Sequence, residues 1–142
     1  FGSKYSTMSY LVPRFVLWEA GIGIEQLSNY EFVKNHENVV FGILSGAFDA
    51  GAIKEGVFEK NATEGIKVLA WTPPITEHIF VTTQNFTKHE KLQTIFLNIN
   101  NHPQGKAILT SIKKSITGLA KVKNEDYDGL RNILQTVEKL DH

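Results

Sequence analysis

The chain of 142 residues contains no cysteine. That removes disulfides, zinc–thiolate centres and thiol nucleophiles together. It leaves the compartment open, because disulfide-free proteins occur on both sides of a bacterial membrane. Net charge is lacking too: fifteen Lys and Arg balance fifteen Asp and Glu, which excludes nucleic-acid or membrane-surface binding driven by bulk charge. No apolar run approaches the ~20 residues that span a bilayer, and no signal peptide is visible. There is no P-loop and no G-x-G-x-x-G, and His89, His102 and His142 have no partner at metal-ligand spacing. No repeat or low-complexity tract occurs. What is present is 42% apolar and 21% charged residues, the composition of one globular domain with a real core. The chain opens on Phe1-Gly2-Ser3 without an initiator Met, so a processed or truncated piece of a longer protein is expected.

Apolar periodicity predicts a first helix from about Ser6 to Ala20, ended by Gly21, with Pro13 imposing a kink or tight first two turns. A short strand at Phe32-Val33 ends at Lys34-Asn35-His36. A second helix runs from His36 to Ser45 and is ended by Gly46, with Val39, Val40, Ile43 and Leu44 at helical spacing. Strands are expected at Phe48–Ile53, at Ile66–Trp71 (closed by Thr72-Pro73-Pro74) and at His78–Thr83, with a brief helix from Glu55 to Glu59. Only helices follow: Lys88 to Asn98 capped by Thr87, Gln104 to Lys113, and Asp126 to Leu140. Strands alternating with helices, then helices alone, read as an α/β layer with a mostly parallel sheet followed by packing helices. Trp18 and Trp71 are expected in the core.

The residues best suited to chemistry are Ser6-Thr7-Met8-Ser9, where a loop enters the first apolar helix. Hydroxyls at that point can cap the helix. They can equally hold a tetrahedral oxyanion, because N–H donors, O–H donors and the positive end of the helix dipole converge there. Parallel sheets deliver such helix starts to the crevice at their strand ends. His36, in Asn35-His36-Glu37, belongs to another strand-to-helix loop of the same edge. Its imidazole could donate to an anion or, protonated, add charge. A structural or surface role is the plainer reading of His36. Glu77 and His78, after the prolines, are surface residues or cleft residues. Asn61-Ala62-Thr63 and Asn85-Phe86-Thr87 match the glycosylation sequon, as many sequences do by chance.

These segments resemble a known family. Ser6-Thr7-Met8-Ser9-Tyr10-Leu11-Val12-Pro13 is similar to the S-T-S-G-[YF]-L-[VI]-P segment of the periplasmic phosphonate/phosphite/phosphate-binding proteins of ABC transporters. Asn35-His36-Glu37 resembles that family's G-x-H-[ED] loop, thirty residues after the first serine. Asp49-Ala50-Gly51-Ala52 is similar to its V-D-A-G-A strand, and Trp71-Thr72-Pro73-Pro74-Ile75 to its [WS]-x-[ST]-P-P-I-P turn. Gln104-Gly105-Lys106-Ala107-Ile108-Leu109 resembles E-G-K-A-[IV]-L, and Asp126-Tyr127-Asp128-Gly129-Leu130-Arg131 resembles D-Y-[DA]-x-[VL]-R. Together they cover nearly the whole chain.

The resemblance implies two α/β lobes closing on a ligand, with residues 1 to about 78 as the second lobe. Residues 79 to 142 would be a return strand and helices that pack on the first lobe, which is absent. Half a site, with weak affinity alone, is then expected. The resemblance nominates Ser6, Thr7, Met8 (through its backbone N–H) and His36 as ligand contacts, with Tyr5, Ser9, Glu55 and His78 as further candidates. Ser9 stands where the family has glycine. In aminoalkylphosphonate binders an acidic residue holds the ligand amine near Glu55-Gly56. Gly56 occupies that place and His78 a second acidic one, which favours a smaller or differently substituted oxyanion. The implied role is the extracytoplasmic binding component of an oxyanion importer, periplasmic or lipid-anchored. It would work with a permease, without cofactor, metal, nucleic acid or catalysis. Two other readings stay open: the sensor domain of a membrane signalling protein, and an enzyme with Ser6 or Thr7 as nucleophile and His36 as base.

Overall fold

The computed structural model describes residues 1–76 and 78–140. Its helices are α1 (Val12–Glu19), α2 (His36–Leu44), α3 (Glu55–Asn61), α4 (His89–Leu97), α5 (Gly105–Ile112) and α6 (Asp128–Lys139). Helices α2 to α6 lie within two residues of their predicted positions, while α1 begins six residues later than predicted, after a wider turn over Thr7–Leu11. Gly21 and Gly46 stop α1 and α2 for the reason expected, with φ of 77° and 73°, in the left-handed region. Past each of them the chain turns back. Ile22 N–H reaches Leu17 O at 2.9 Å and Ala47 N–H reaches Gly42 O at 2.9 Å, the six-to-one bond of a Schellman stop.

The chain divides into two units. One comprises Phe1–Ile75 and the chain from Asp128 onward, the other Thr76–Tyr127. In the first, Tyr10, Val12, Val39, Val40, Val57, Ile133 and Val137 are buried. Ile133 and Val137 stand one helical turn apart, so α6 presents one apolar stripe, and it packs against α1. Each such side chain taken from water contributes ~1.5–3 kcal/mol. Arg14 on α1 is only 5% exposed. Its guanidinium donates to Tyr10 Oη at 3.0 Å and to the Leu140 carbonyl, just past α6, at 3.3 Å. In the second unit Leu109 of α5 is buried, the Phe80 and Phe96 rings meet at a tilt of 54° with centroids 4.9 Å apart, and Asn100 Nδ2 donates to Thr117 O at 3.0 Å.

Four expectations need correction or narrowing. Among the described residues no strand ladder forms, so the segments at Phe48–Ile53, Ile66–Trp71 and His78–Thr83 run irregularly between helices. A ladder needs a second strand alongside, which periodicity within one segment does not provide. Where two segments do run alongside, the pairing is parallel. The Phe1 nitrogen donates to Glu31 O at 2.9 Å and Phe1 O accepts from Val33 N–H at 2.9 Å, the slanted pair that centres a parallel bridge on Phe32. Thr87 does not cap α4, because the helix starts a residue later and Lys88 fills the cap position without a side-chain bond. Trp18 and Trp71 are 45% and 60% exposed rather than core. Each rests on one ring instead, Phe15 at 5.8 Å and Phe58 at 6.0 Å between centroids.

The turn before α1 is wide, not tight. Residues Thr7–Leu11 form a π-turn, in which Leu11 N–H reaches Ser6 O at 3.1 Å and Val12 N–H bonds Thr7 O. Pro13 explains it: the ring has no N–H for the Ser9 carbonyl and would clash with it in a regular helix. The widened turn releases that carbonyl, and Gly2 N–H donates to it at 3.3 Å.

Candidate functional site

Ser6 is the cap of this turn. Its backbone is extended (φ −81°, ψ 122°) and its Oγ accepts from Ser9 N–H at 3.2 Å. Accepting uses a lone pair of the hydroxyl and leaves its hydrogen free to donate elsewhere. Among the described residues the N–H groups of Thr7 and Met8 have no acceptor, as the first amides of a helix must when only the third is capped. Ser6, Thr7 and Met8 are all partly exposed. Two backbone donors and two hydroxyls therefore stand together at the positive end of the helix dipole. Ser9 is different: it is 2% exposed, and its Oγ accepts from Ser3 N–H at 3.3 Å. Its polar atoms hold the turn to the preceding segment.

The second helix start lies on the same parallel pair. Asn35 caps α2, its Oδ1 accepting from Asn38 N–H at 2.7 Å, while Asn38 Nδ2 donates to Val33 O at 2.7 Å. His36 is the first residue of α2, in the helix rather than in a loop. Buried Gly2 lies between the two starts. A Cβ there would come within 2.4 Å of Ser9 Oγ, so a larger residue would displace the Ser9 side chain, while the Asn35 carbonyl carbon, at 3.7 Å, would be in ordinary contact.

Lys34, just before the cap, has φ of 78°, and Asn35 N–H reaches Val33 O at 3.1 Å across it in a tight three-residue turn. The left-handed region costs a residue with a Cβ ~1–2 kcal/mol, of which glycine's extra chain entropy would return ~0.5–1 kcal/mol. The glycine of the G-x-H-[ED] pattern falls on this position. Lys34→Gly is therefore expected to stabilise the protein by about 0.5–1 kcal/mol in urea unfolding. An unchanged or lowered midpoint would contradict the strain.

The His36 ring is held through one nitrogen: Lys54 N–H donates to Nδ1 at 3.3 Å. Partial burial pushes its pKa below the ordinary imidazole value, the Lys54 ammonium adds to that, and Glu37 opposes it. The ring is thus neutral at pH 7. The unfolded chain binds the proton more readily, so stability held above about pH 6.5 declines as pH falls below it. Urea midpoints taken from pH 8 to pH 5 should fall more steeply in the parent than in His36→Gln, and equal slopes would refute the coupling.

The other candidates stand as follows. Tyr5 is 87% exposed. Glu55 is an exposed residue at the start of α3, next in sequence to the Lys54 amide. His78 is exposed and lies in the other unit. Glu77 and His142 lie outside the described residues. No group of three or more His, Asp or Glu among the described residues could hold a metal ion. Sequence reasoning missed Gly2, Arg14 and the Lys54 amide. Gly2 alone left a signal, as the lone glycine just ahead of the hydroxyl run.

Two neighbouring helix starts, one rich in hydroxyls and one bearing histidine, are the arrangement against which known proteins can be compared. The family described as "ABC transporter, phosphonate, periplasmic substrate-binding protein" matches residues 1–127. The chain belongs to this family. It is also 26% identical over 157 aligned positions to a probable ABC transporter phosphite binding protein, PhnD1, of Prochlorococcus marinus strain MIT 9301. That alignment takes in 99% of the chain and 52% of the relative, so the chain spans about half the relative's length. No solved structure matches significantly. No helix among the described residues is long and apolar enough to cross a membrane.

Proposed function

We propose that this chain binds a small tetrahedral oxyanion (phosphite, a simple phosphonate or phosphate) as part of the extracytoplasmic binding component of an ABC importer. Ser6 and Thr7 donate through O–H, Thr7 and Met8 through N–H, and His36 through its ring. Ser9 holds the turn from behind. The observation that carries this reading is the double use of Ser6: its Oγ caps the turn through Ser9 N–H while the hydroxyl hydrogen and two first-turn amides stay available. Neutral donors at a helix start bind an anion without bulk positive charge, in keeping with the zero net charge. They also leave no unpaired cation when the site is empty.

In this reading residues 1 to about 78 form one α/β lobe of a two-lobe binding fold, with the Phe1–Phe32 parallel pair as part of its sheet, and the partner is a membrane permease. The protein resides in the periplasm or is lipid-anchored on the outer face of the cytoplasmic membrane. Catalysis is not part of the reading. Nδ1 of His36 is already engaged by the Lys54 amide, and among the described residues no carboxylate is hydrogen-bonded to the ring to orient it as a base. The amine-binding acidic position falls on Gly56, so ligands without an ammonium group are favoured.

The test is a thermal-shift and calorimetric panel on the full chain with phosphite, methylphosphonate, phosphate, 2-aminoethylphosphonate, sulfate and molybdate. At one fixed concentration, phosphite or methylphosphonate should stabilise it most, a ligand present at a hundredfold excess over its Kd contributing ~2.7 kcal/mol. Preference for 2-aminoethylphosphonate, or equal response to sulfate, would overturn the assignment.

A further inference from the structure

The His36 ring is oriented by a backbone group eighteen residues away. Two features deliver that group. Gly51 lets the chain between α2 and α3 press onto α2: a Cβ there would lie 2.4 Å from Val39 Cγ1 and 3.1 Å from Ile43 Cδ1. At the other end Lys54 is the cap residue of α3, its carbonyl accepting from Val57 and Phe58 N–H at 2.9 and 3.2 Å. Pinned between these anchors, the Lys54 N–H lies outside any helix ladder and bonds the imidazole at 3.3 Å.

We propose that the Lys54 backbone amide is a positioning group for anion binding, which selects the Nε2–H tautomer and one ring flip of His36 so that the ring meets the ligand as a neutral donor. The proposal rests on the oxyanion reading above. A neutral imidazole has one N–H and one lone-pair nitrogen. An N–H donor on Nδ1 can bond only the lone pair, so the ring hydrogen sits on Nε2. The opposite tautomer would turn a lone pair toward the oxyanion and repel it, and the opposite ring flip would offer a carbon edge. Partial burial is the main reason this ring stays neutral; of the charged groups acting on it, the Lys54 ammonium adds to that and Glu37 opposes it.

The amide can be removed without touching the ligand contacts. Lys54 has φ of −76°, which proline adopts without strain, so Lys54→Pro deletes only the donor and the side chain, while Lys54→Ala keeps the donor. At pH 8, long-range ¹⁵N–¹H correlation spectra of the ligand-free protein should show His36 protonated on Nε2 in the parent and in Lys54→Ala. Lys54→Pro should show averaging of the two tautomers. Its Kd for sodium phosphite should rise about two- to fourfold over Lys54→Ala, because only part of the ring population remains competent. His36→Gln, whose amide reaches the Nε2 position, should retain more phosphite binding than His36→Asn. Protonation on Nδ1 in the parent, or an unchanged tautomer in Lys54→Pro, overturns this inference while phosphite binding persists. Absence of phosphite binding in the parent itself overturns the oxyanion reading instead, so the two failures are distinguishable. The parent spectrum and the Gln/Asn ranking decide the matter even if Lys54→Pro does not fold.

Discussion

Ser6→Asp is expected to abolish oxyanion binding while leaving the turn into α1 as stable as in the parent. Aspartate caps helices as well as serine does and is favoured by the dipole at a helix start, so the Ser9 N–H that now reaches Ser6 Oγ at 3.2 Å keeps an acceptor. The same carboxylate would face the bound anion. Two unit charges ~4 Å apart near a protein surface repel by about 4 kcal/mol, roughly a thousandfold in affinity. Ser6→Ala should behave in the opposite sense. It loses the cap, at ~1 kcal/mol of stability, and one charge-assisted hydrogen bond of ~1.5–3 kcal/mol, which weakens binding roughly 10- to 100-fold. Alanine should therefore be the less stable variant and the better binder. If Ser6 were a cap and nothing more, Ser6→Asp would bind phosphite like the parent.

Arg14→Leu should produce the largest loss of stability. The guanidinium is buried, and it serves the Tyr10 hydroxyl and the Leu140 carbonyl beyond α6. It also lies 5.7 Å from the centroid of the Tyr10 ring. Leucine restores much of the volume but leaves both oxygens short of a partner, each costing ~1–3 kcal/mol when buried. The Leu140 carbonyl is only part-buried and counts for less than the Tyr10 oxygen, so a loss of about 2–4 kcal/mol follows. Trp18 and Trp71 both belong to the unit formed by Phe1–Ile75 and the chain from Asp128, so tryptophan fluorescence in urea reports on that unit. Arg14→Lys should fall between the two, since an ammonium keeps the charge without the planar fork. A midpoint within 1 kcal/mol of the parent would show that the arginine is dispensable. Because α1 follows directly on the Ser6–Ser9 turn, Arg14→Leu should weaken phosphite binding as well.

Helices were legible in this sequence because their signals are local. Val39, Val40 and Ile43 declare a face within two turns, and Gly21 and Gly46 mark stops through a conformation that glycine takes most easily. Strand pairing is not local, and only the Phe1–Phe32 bridge is realised among the described residues. The hydroxyl run at Ser6 and Thr7 was visible as a candidate site, yet the separate task of Ser9 was not. That task depends on Pro13 releasing a carbonyl and on Gly2 taking it. The Lys54 contact is invisible for a plainer reason: every residue except proline offers the same N–H. Arg14 reads as a surface charge amid apolar neighbours until α6 is seen to end against it.

The most direct test is a sodium phosphite titration followed by ¹⁵N–¹H amide spectra of the full chain, which reports weak binding as readily as tight. The Thr7 and Met8 amides should move downfield together along one saturable curve, with Ser9 N–H, already bonded to Ser6 Oγ, moving less. A titration that leaves Thr7 and Met8 in place, or that moves amides elsewhere first, would contradict an oxyanion site at this helix start.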